Sequence, residues 1–118
     1  MYYASGDPFS EGPTPVGFYD GRLHPNPPFQ TTNSPSIYGA YDMAGNAWEW
    51  VADWYSASYY ASAPSTNPLG PVTGTFRGLR GGAWNIATSY LPCARRYYNG
   101  PPTLRYEYNG FRCARTGP

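Results

Sequence analysis

Large apolar side chains cluster in a few short stretches of this chain, and turn-forming residues separate these stretches. Over residues 47–51, Trp48 and Trp50 alternate with smaller or charged residues, and a period of two predicts a strand. Trp50 and Trp54 are also four residues apart, a spacing that suits a helix. We favour a strand over Ala47–Val51 that is followed directly by an exposed turn.

The remaining sequence is dominated by Gly, Pro, Ser and Asn. Residues 1–36 contain turn signals at short intervals, so no helix of useful length fits there, and one short strand is predicted over Val16–Tyr19. Residues 56–75 are predicted to form a surface loop. Two further strands are predicted over Thr75–Leu79 and Phe111–Ala114. No repeat or linker divides the sequence, so residues 1–118 are predicted to form a single domain.

Composition narrows the class of protein. Charged residues make up 13% and the net charge is +1, which argues against a nucleic-acid partner because such proteins carry basic patches. The apolar runs are too short for a membrane span, so membrane insertion is not expected. Gly and Pro number 14 each, but aromatic residues make up 19%, and disordered chains are poor in aromatics. A folded, loop-rich domain is therefore predicted.

Cysteine and histidine residues are few, two and one respectively. Cys93 and Cys113 could form a disulfide, closing a loop of about 20 residues and contributing about 3 kcal/mol, or they could remain two free thiols. The single histidine, His24, has no neighbours at zinc-ligand spacing and no evident triad partner. Neither a zinc site nor a serine-hydrolase site is predicted.

Three segments resemble one family. Tyr41–Trp50 resembles the YDMxGNxWEW signature of sulfatase-modifying-factor proteins, the formylglycine-generating enzyme-like family. Leu79–Trp84 is similar to their RGGSW element, with Ala in place of Ser, and Asn109–Ala114 is similar to their closing GFR segment. The resemblance implies a C-type-lectin-like α+β fold that is loop-rich, with short twisted antiparallel strands and little helix.

The resemblance covers nearly the whole chain but only the C-terminal part of the family domain. Three explanations stay open: a fragment, a minimal member, or a chain completed by a partner segment. A half-domain would expose apolar surface, which favours self-association.

The resemblance also implies a structural calcium ion in the first motif. Its ligands would be Asp42, the backbone carbonyls of Gly45 and Ala47, and the carboxylate of Glu49. Oxygen ligands from a tight turn are what Ca²⁺ prefers. The alternative is that Glu49 and Asn46 only form hydrogen bonds within the turn.

Oxidases of this family bind copper through two cysteines that lie between the RGGSW element and the following RCAAR-like stretch. Residues 85–92 contain no cysteine, and soft thiolate ligands are what Cu(I) requires. Cys93 and Cys113 match cysteines that are structural in those enzymes. Neither copper nor oxidase activity is therefore expected. Related sulfoxide synthases need a separate histidine-bearing iron domain, which the single His24 cannot supply.

A different branch of the family is similar over residues 79–115. The variable proteins of diversity-generating retroelements carry a C-terminal variable region framed by LRGGSW, LRCA and GFRCAR, and this chain fits that frame as a candidate variable region. Three departures are Pro92, in place of Arg, an extra residue in Pro101–Leu104, and Glu107, which adenine-directed mutation of an Asn codon does not produce. The resemblance implies a non-catalytic, receptor-like binding module.

The residues within that frame support the same interpretation. Tyr, Ser, Asn and Gly are typical of binding surfaces, because Tyr supplies contact area at low entropic cost. The predicted ligand-binding residues are Asn85, Ile86, Thr88, Ser89, Tyr90, Arg95, Tyr97, Tyr98, Asn99, Leu104, Tyr106, Glu107, Tyr108 and Asn109. The expected ligand is a protein, and display on a cell or virion surface would suit this role, although the sequence does not fix the compartment.

Burial predictions separate a scaffold from this surface. Trp48, Trp50 and Trp84 are expected to be buried. Tyr97, Tyr98, Tyr106 and Tyr108 are expected to be exposed and close together. The alternative is that these tyrosines complete the core, since Tyr is intermediate in burial.

Overall fold

The computed structural model describes residues 12–25, 28–101 and 103–114. Most of these residues lie in loops and turns. The strands are β1 (Leu23–Pro25), β2 (Pro28–Gln30), β3 (Trp48–Trp54), β4 (Arg77–Arg80) and β5 (Asn109–Phe111), and single 3₁₀ turns cover Tyr59–Ala61 and Thr88–Tyr90. Over these described ranges, no helix is long and apolar enough to cross a membrane.

Strand β3 is the centre of a three-stranded sheet with the order β4-β3-β5. It pairs with β4 in the antiparallel sense, with Trp50 opposite Leu79. Its pairing with β5 is parallel and places Trp48 opposite Asn109, so the antiparallel arrangement predicted for the strands is wrong for this pair. The first motif and the closing motif of the sequence therefore lie side by side, although they are about 60 residues apart in the chain.

The central strand is longer than predicted. It begins at Trp48 and continues to Trp54, so the exposed turn expected directly after Val51 is wrong. An irregularity in the β3–β4 ladder lets Trp54 pair with Arg77. The Arg77 guanidinium also lies 3.6 Å from the centre of the Trp54 ring. These contacts hold the last residues of the strand in place.

The other predicted strands differ in position. The strand predicted over Thr75–Leu79 is found at Arg77–Arg80. The last strand covers Asn109–Phe111 instead of Phe111–Ala114, because its pairing with β3 ends at Phe111.

The strand predicted over Val16–Tyr19 is wrong. That segment forms a turn in which the Phe18 N–H donates to the Pro15 carbonyl at 3.1 Å. The antiparallel hairpin of β1 and β2 was not predicted.

The core lies on one face of the sheet around Trp48, which is 1% exposed, and Leu79, which is 0% exposed. The Tyr97 ring stacks on Trp48 at a centroid distance of 5.1 Å. Trp50 packs against the same cluster but is only half-buried, and Trp84 is also half-buried. Complete burial is therefore confirmed for Trp48 and wrong for the other two tryptophans.

The paired glycines before Trp84 have a structural role. Gly81 and Gly82 both adopt positive φ angles, +89° and +80°, which side chains rarely tolerate. A Cβ on Gly82 would lie 2.7 Å from the Leu91 Cδ2 atom and 3.3 Å from the Tyr90 carbonyl oxygen. The tight turn thus brings the start of the candidate variable region close against the core.

Candidate ligand-binding surface and cation site

Backbone hydrogen bonds join residues 84–109 to the scaffold at three attachment points: Trp84, Tyr97 and Tyr108. The Trp84 N–H donates to the Asn46 carbonyl at 2.9 Å, and Tyr97 and Leu79 exchange two hydrogen bonds at 2.7 and 3.0 Å. The Trp48 N–H donates to the Tyr108 carbonyl at 2.8 Å. Two stretches of the chain, residues 85–96 and 98–107, connect these points.

The predicted binding residues divide into two groups by exposure. The exposed group consists of Thr88, Ser89, Arg95, Tyr98, Leu104 and Glu107. The half-buried group consists of Asn85, Ile86, Tyr90, Tyr97, Asn99, Tyr106, Tyr108 and Asn109. The exposed residues come from the stretches between the attachment points, whereas Tyr97 and Tyr108 are themselves attachment points.

Of the four tyrosines expected to be exposed, only Tyr98 is, at 41%. Tyr97 stacks on Trp48, so its predicted exposure is wrong. Tyr106 and Tyr108 stack on each other at 5.2 Å with their planes 12° apart, and both are half-buried. Stacking between aromatic rings therefore makes the exposed tyrosine surface smaller than the composition of this region predicted.

Tyr90 and Asn109, two further predicted residues, also face inward. Tyr90 meets Trp48 edge-on at 6.2 Å, and the Arg95 guanidinium lies 4.4 Å from the centre of the Tyr90 ring. Both polar atoms of the Asn109 amide are buried and have no hydrogen-bond partner in the described part of the chain. These positions are better suited to supporting a surface than to contacting a ligand.

The predicted calcium ligands are close together but already have partners. Asp42, Ala47 and Glu49 line a cleft of about 380 Å³ together with Arg112. Arg112 donates to both carboxylate oxygens of Glu49, at 2.6 to 3.2 Å, and to the Asp42 carbonyl at 3.0 Å. Bonding to Glu49 raises the pKa of the Arg112 guanidinium above its ordinary value.

The side chains of Asp42 and Asn46 form hydrogen bonds that join the motif to residues 14–17. The Asp42 carboxylate accepts from the Gly17 N–H at 2.8 Å. The Asn46 amide exchanges two hydrogen bonds with the Thr14 backbone, at 2.8 and 3.1 Å. Gly45 is not part of the cleft lining, and its N–H donates to the Gly81 carbonyl at 2.7 Å.

This arrangement does not fit a calcium ion as it stands. Calcium takes 6–8 oxygen ligands. Both carboxylate oxygens of Glu49 already accept hydrogen bonds from the Arg112 guanidinium. Within residues 12–25, 28–101 and 103–114, no three His, Cys, Asp or Glu side chains form a metal-binding group. Calcium at Glu49 would have to displace Arg112, and calcium binding stays a prediction. Sequence reasoning missed this partner, although the Arg of the GFR motif was a signal for it.

The cysteine alternative is resolved in favour of thiols. Cys93 and Cys113 are both free and exposed. The sequence of residues 85–92, which directly precedes Cys93, contains no further cysteine.

The sequence model of the family described as the sulfatase-modifying factor enzyme 1-like domain matches residues 3–117. The chain belongs to this family. The C-type-lectin-like, loop-rich fold class predicted from the motifs is confirmed with it.

Proteins with different names are similar to this chain. The chain is 49% identical over 82 residues to the serine/threonine-protein kinase Pkn1 of Chlamydia trachomatis serovar L2, covering 68% of the chain and 13% of the kinase. It is 41% identical over 98 residues to the formylglycine-generating enzyme of Streptomyces coelicolor, covering 80% of the chain and 30% of the enzyme. The chain thus spans less than a third of either relative.

Among solved structures, the Treponema denticola variable protein 1 is similar. The TM-score is 0.54 at 32% identity, and the match covers 67% of the chain and 28% of that protein. The likeness to a variable protein that the sequence motifs indicated is therefore confirmed.

Proposed function

We propose that this chain is a non-catalytic ligand-binding module that presents a diversified C-terminal surface to a protein ligand. The observation that carries the proposal is the alternation along residues 84–109. Three attachment points are hydrogen-bonded to the scaffold, two of them to the buried residues Trp48 and Leu79, and the exposed side chains come from the stretches between them. A surface built in this way can change its side chains without changing its fold.

The contact residues are the exposed ones: Thr88, Ser89, Arg95, Tyr98, Leu104 and Glu107. Tyr and Arg are favoured at the energetic centre of interfaces, and small polar residues provide adaptable hydrogen bonds. The likeness to the Treponema denticola variable protein 1 supports this role. The half-buried tyrosines position the surface from below.

The second candidate function is a truncated oxidase, which the identity of 41% to a formylglycine-generating enzyme favours. The cysteine-free interval 85–92 argues against it, since the related oxidases hold copper there with two thiolates. We therefore propose that the chain binds no copper at this position. Stoichiometric Cu(I) binding with oxygen-dependent turnover of a cysteine-containing peptide would overturn this.

Two matched libraries test the binding role. One varies Thr88, Ser89, Tyr98, Leu104 and Glu107, and the other varies Tyr90, Tyr97 and Tyr108. We expect most members of the first library to fold, and selection against a chosen protein such as lysozyme to recover binders. We expect few members of the second to fold. Equal loss of folding in both libraries, or no binder from the first, would contradict the proposal.

The diversification proposal has its own test in the genome. We expect a reverse transcriptase gene near the coding sequence, beside a second copy of codons 79–115 that is rich in Asn codons. Gene copies should differ at the codons of exposed residues and agree at those of the attachment points. Uniform variation along the coding sequence would contradict diversification without contradicting ligand binding.

A further inference from the structure

A second concave site lies between the sheet and the loop of residues 56–75, and its wall residue Tyr55 contacts Tyr98 of the candidate binding surface at a ring-centroid distance of 4.5 Å. It encloses about 140 Å³. Its walls are mainly aromatic, formed by Trp54, Tyr55, Tyr59 and Tyr60, and its polar side chains are Asp53, Arg80 and Arg96. None of these residues belongs to the surface proposed above.

Glycines keep this pocket open. Gly78 of β4 faces Val51 of β3, and a Cβ on Gly78 would lie 3.0 Å from the Val51 Cγ2 atom. Gly70 adopts a φ of +79°, and its N–H donates to the Tyr59 hydroxyl at 3.1 Å. The loop is thereby fixed to an aromatic wall at a distance from the sheet that larger residues would not permit.

Two guanidinium groups line the pocket without a carboxylate partner. Arg80 donates to the carbonyls of residues 93, 94 and 95, each at 3.2 Å, and to the Tyr60 hydroxyl at 3.0 Å. Arg96 donates to the Ser56 carbonyl at 2.8 Å and lies 3.9 Å from the centre of the Tyr60 ring. Among the described residues, no carboxylate lies within ion-pair distance of either group.

Carbonyl oxygens orient these guanidinium groups but do not neutralise them. Both groups keep N–H donors that are not used by the bonds described. Arginine matches a carboxylate particularly well, because two parallel N–H groups can donate to its two oxygens. Two positive charges fixed beside Tyr60 therefore favour an anion with this geometry.

The volume and the walls define the rest of the ligand. A cavity of about 150 Å³ is known to hold a single benzene ring, and aromatic walls favour stacked or edge-on contact with such a ring. The Asp53 carboxylate, which has no partner among the described side chains, disfavours a second negative charge on the ligand. We propose that this pocket binds a monocarboxylate that carries one aromatic ring, either as a free acid or as the C-terminal residue of a peptide.

The wild-type chain tests the charge requirement directly. N-acetyl-L-phenylalanine represents the free acid, and a tetrapeptide ending in phenylalanine represents the C-terminus, each compared with its uncharged amide by calorimetry. We expect both acids to bind more tightly than their amides, by about tenfold, because charge-assisted hydrogen bonds are the stronger ones. Whichever acid binds more tightly shows whether the pocket takes a free acid or the C-terminal residue of a peptide. No binding of either acid at millimolar concentration, or equal binding of acid and amide, would overturn the proposal.

Variants then test the location with changes in opposite directions. We expect Arg96→Gln to weaken binding of the acid by about tenfold, since it removes one charge-assisted partner. Asp53→Asn should tighten binding severalfold because it removes a like charge. The control Arg105→Gln removes an exposed arginine outside the pocket and should leave binding unchanged.

Equal weakening by Arg96→Gln and Arg105→Gln would overturn the assignment, as would weaker binding in Asp53→Asn. If Arg96→Gln does not fold, the acid–amide comparison and the Asp53→Asn variant still decide. These outcomes do not depend on the C-terminal surface, so failure here leaves the binding role intact.

Discussion

Tyr97 and Tyr98 are neighbours in the chain, yet they belong to different regions of the molecule. Tyr97 is bonded to Leu79 through its backbone and stacks on the buried Trp48. Tyr98 is exposed and rests on Phe76 at 4.9 Å. One residue type thus serves as scaffold at one position and as surface at the next. The comparison teaches that the backbone partner, and not the side chain, decides which role a tyrosine takes.

The scaffold side of this comparison depends most on Trp48. We expect Trp48→Ala to lower the free energy of unfolding by about 3–5 kcal/mol, because the change leaves a cavity in the only fully packed part of the described sheet. Urea denaturation monitored by circular dichroism measures this loss. Trp54→Ala is the matched control in the same strand. The Trp54 ring is only half-buried, so Trp54→Ala should lower the free energy of unfolding by clearly less than Trp48→Ala does.

The second test asks whether the scaffold needs a metal. If calcium binds at Asp42 and Glu49, a hundredfold excess over its Kd adds about 2.7 kcal/mol to the free energy of unfolding. A chelator should then lower the Tm, and Glu49→Ala should abolish that response. Arg112→Gln frees the Glu49 carboxylate and should tighten calcium binding. If the melting curve is the same in excess calcium as in a chelator that has removed all metal, the calcium prediction is wrong and Glu49 serves as the partner of Arg112.

The third test compares the two tyrosines directly. We expect Tyr97→Ser to cost about 2 kcal/mol, because it removes a ring packed on the core. Tyr98→Ser should cost about 1 kcal/mol, because the ring is exposed and its contacts are with Tyr55 and Phe76 at the surface and not with the buried core. Paired thermal melts measure both. Equal losses would remove the distinction between scaffold and surface at this point of the chain.

The smallest effects belong to side chains of the exposed stretches. We expect Ser89→Ala and Glu107→Gln each to change the free energy of unfolding by less than about 0.5 kcal/mol, as surface substitutions usually do. The same variants should alter binding to a protein selected against this surface. A loss of stability above 1 kcal/mol in either variant, measured by urea denaturation, would place that residue in the scaffold.

The sequence was a good guide where a side chain's environment follows from nearby residues. The alternation around Trp48 predicted a strand. The motif segments predicted the burial of that tryptophan, and the order and spacing of three motifs predicted the family and the fold class. These features depend on periodicity and on short motifs. Both can be read without knowing which distant segments meet.

The sequence was a poor guide where a distant partner decides. The burial of Tyr97 results from pairing with Leu79, and the role of Arg112 results from its contact with Glu49. The hairpin was missed because Pro25 and Pro28, which face each other across it, are usually signs of a turn and not of a strand. The aromatic pocket combines residues from four separate segments, so no local pattern indicates it.

The spacing of the attachment points also bears on how this chain could change in length. The stretch of residues 98–107 begins after Tyr97 and ends before Tyr108, and both ends are fixed to the sheet. For a flexible loop closed in this way, doubling its length costs only about 0.6 kcal/mol. Insertions between Gly100 and Arg105 would therefore be tolerated and would extend the reach of the loop. The length of this loop, as well as the identity of its side chains, is therefore open to evolutionary change.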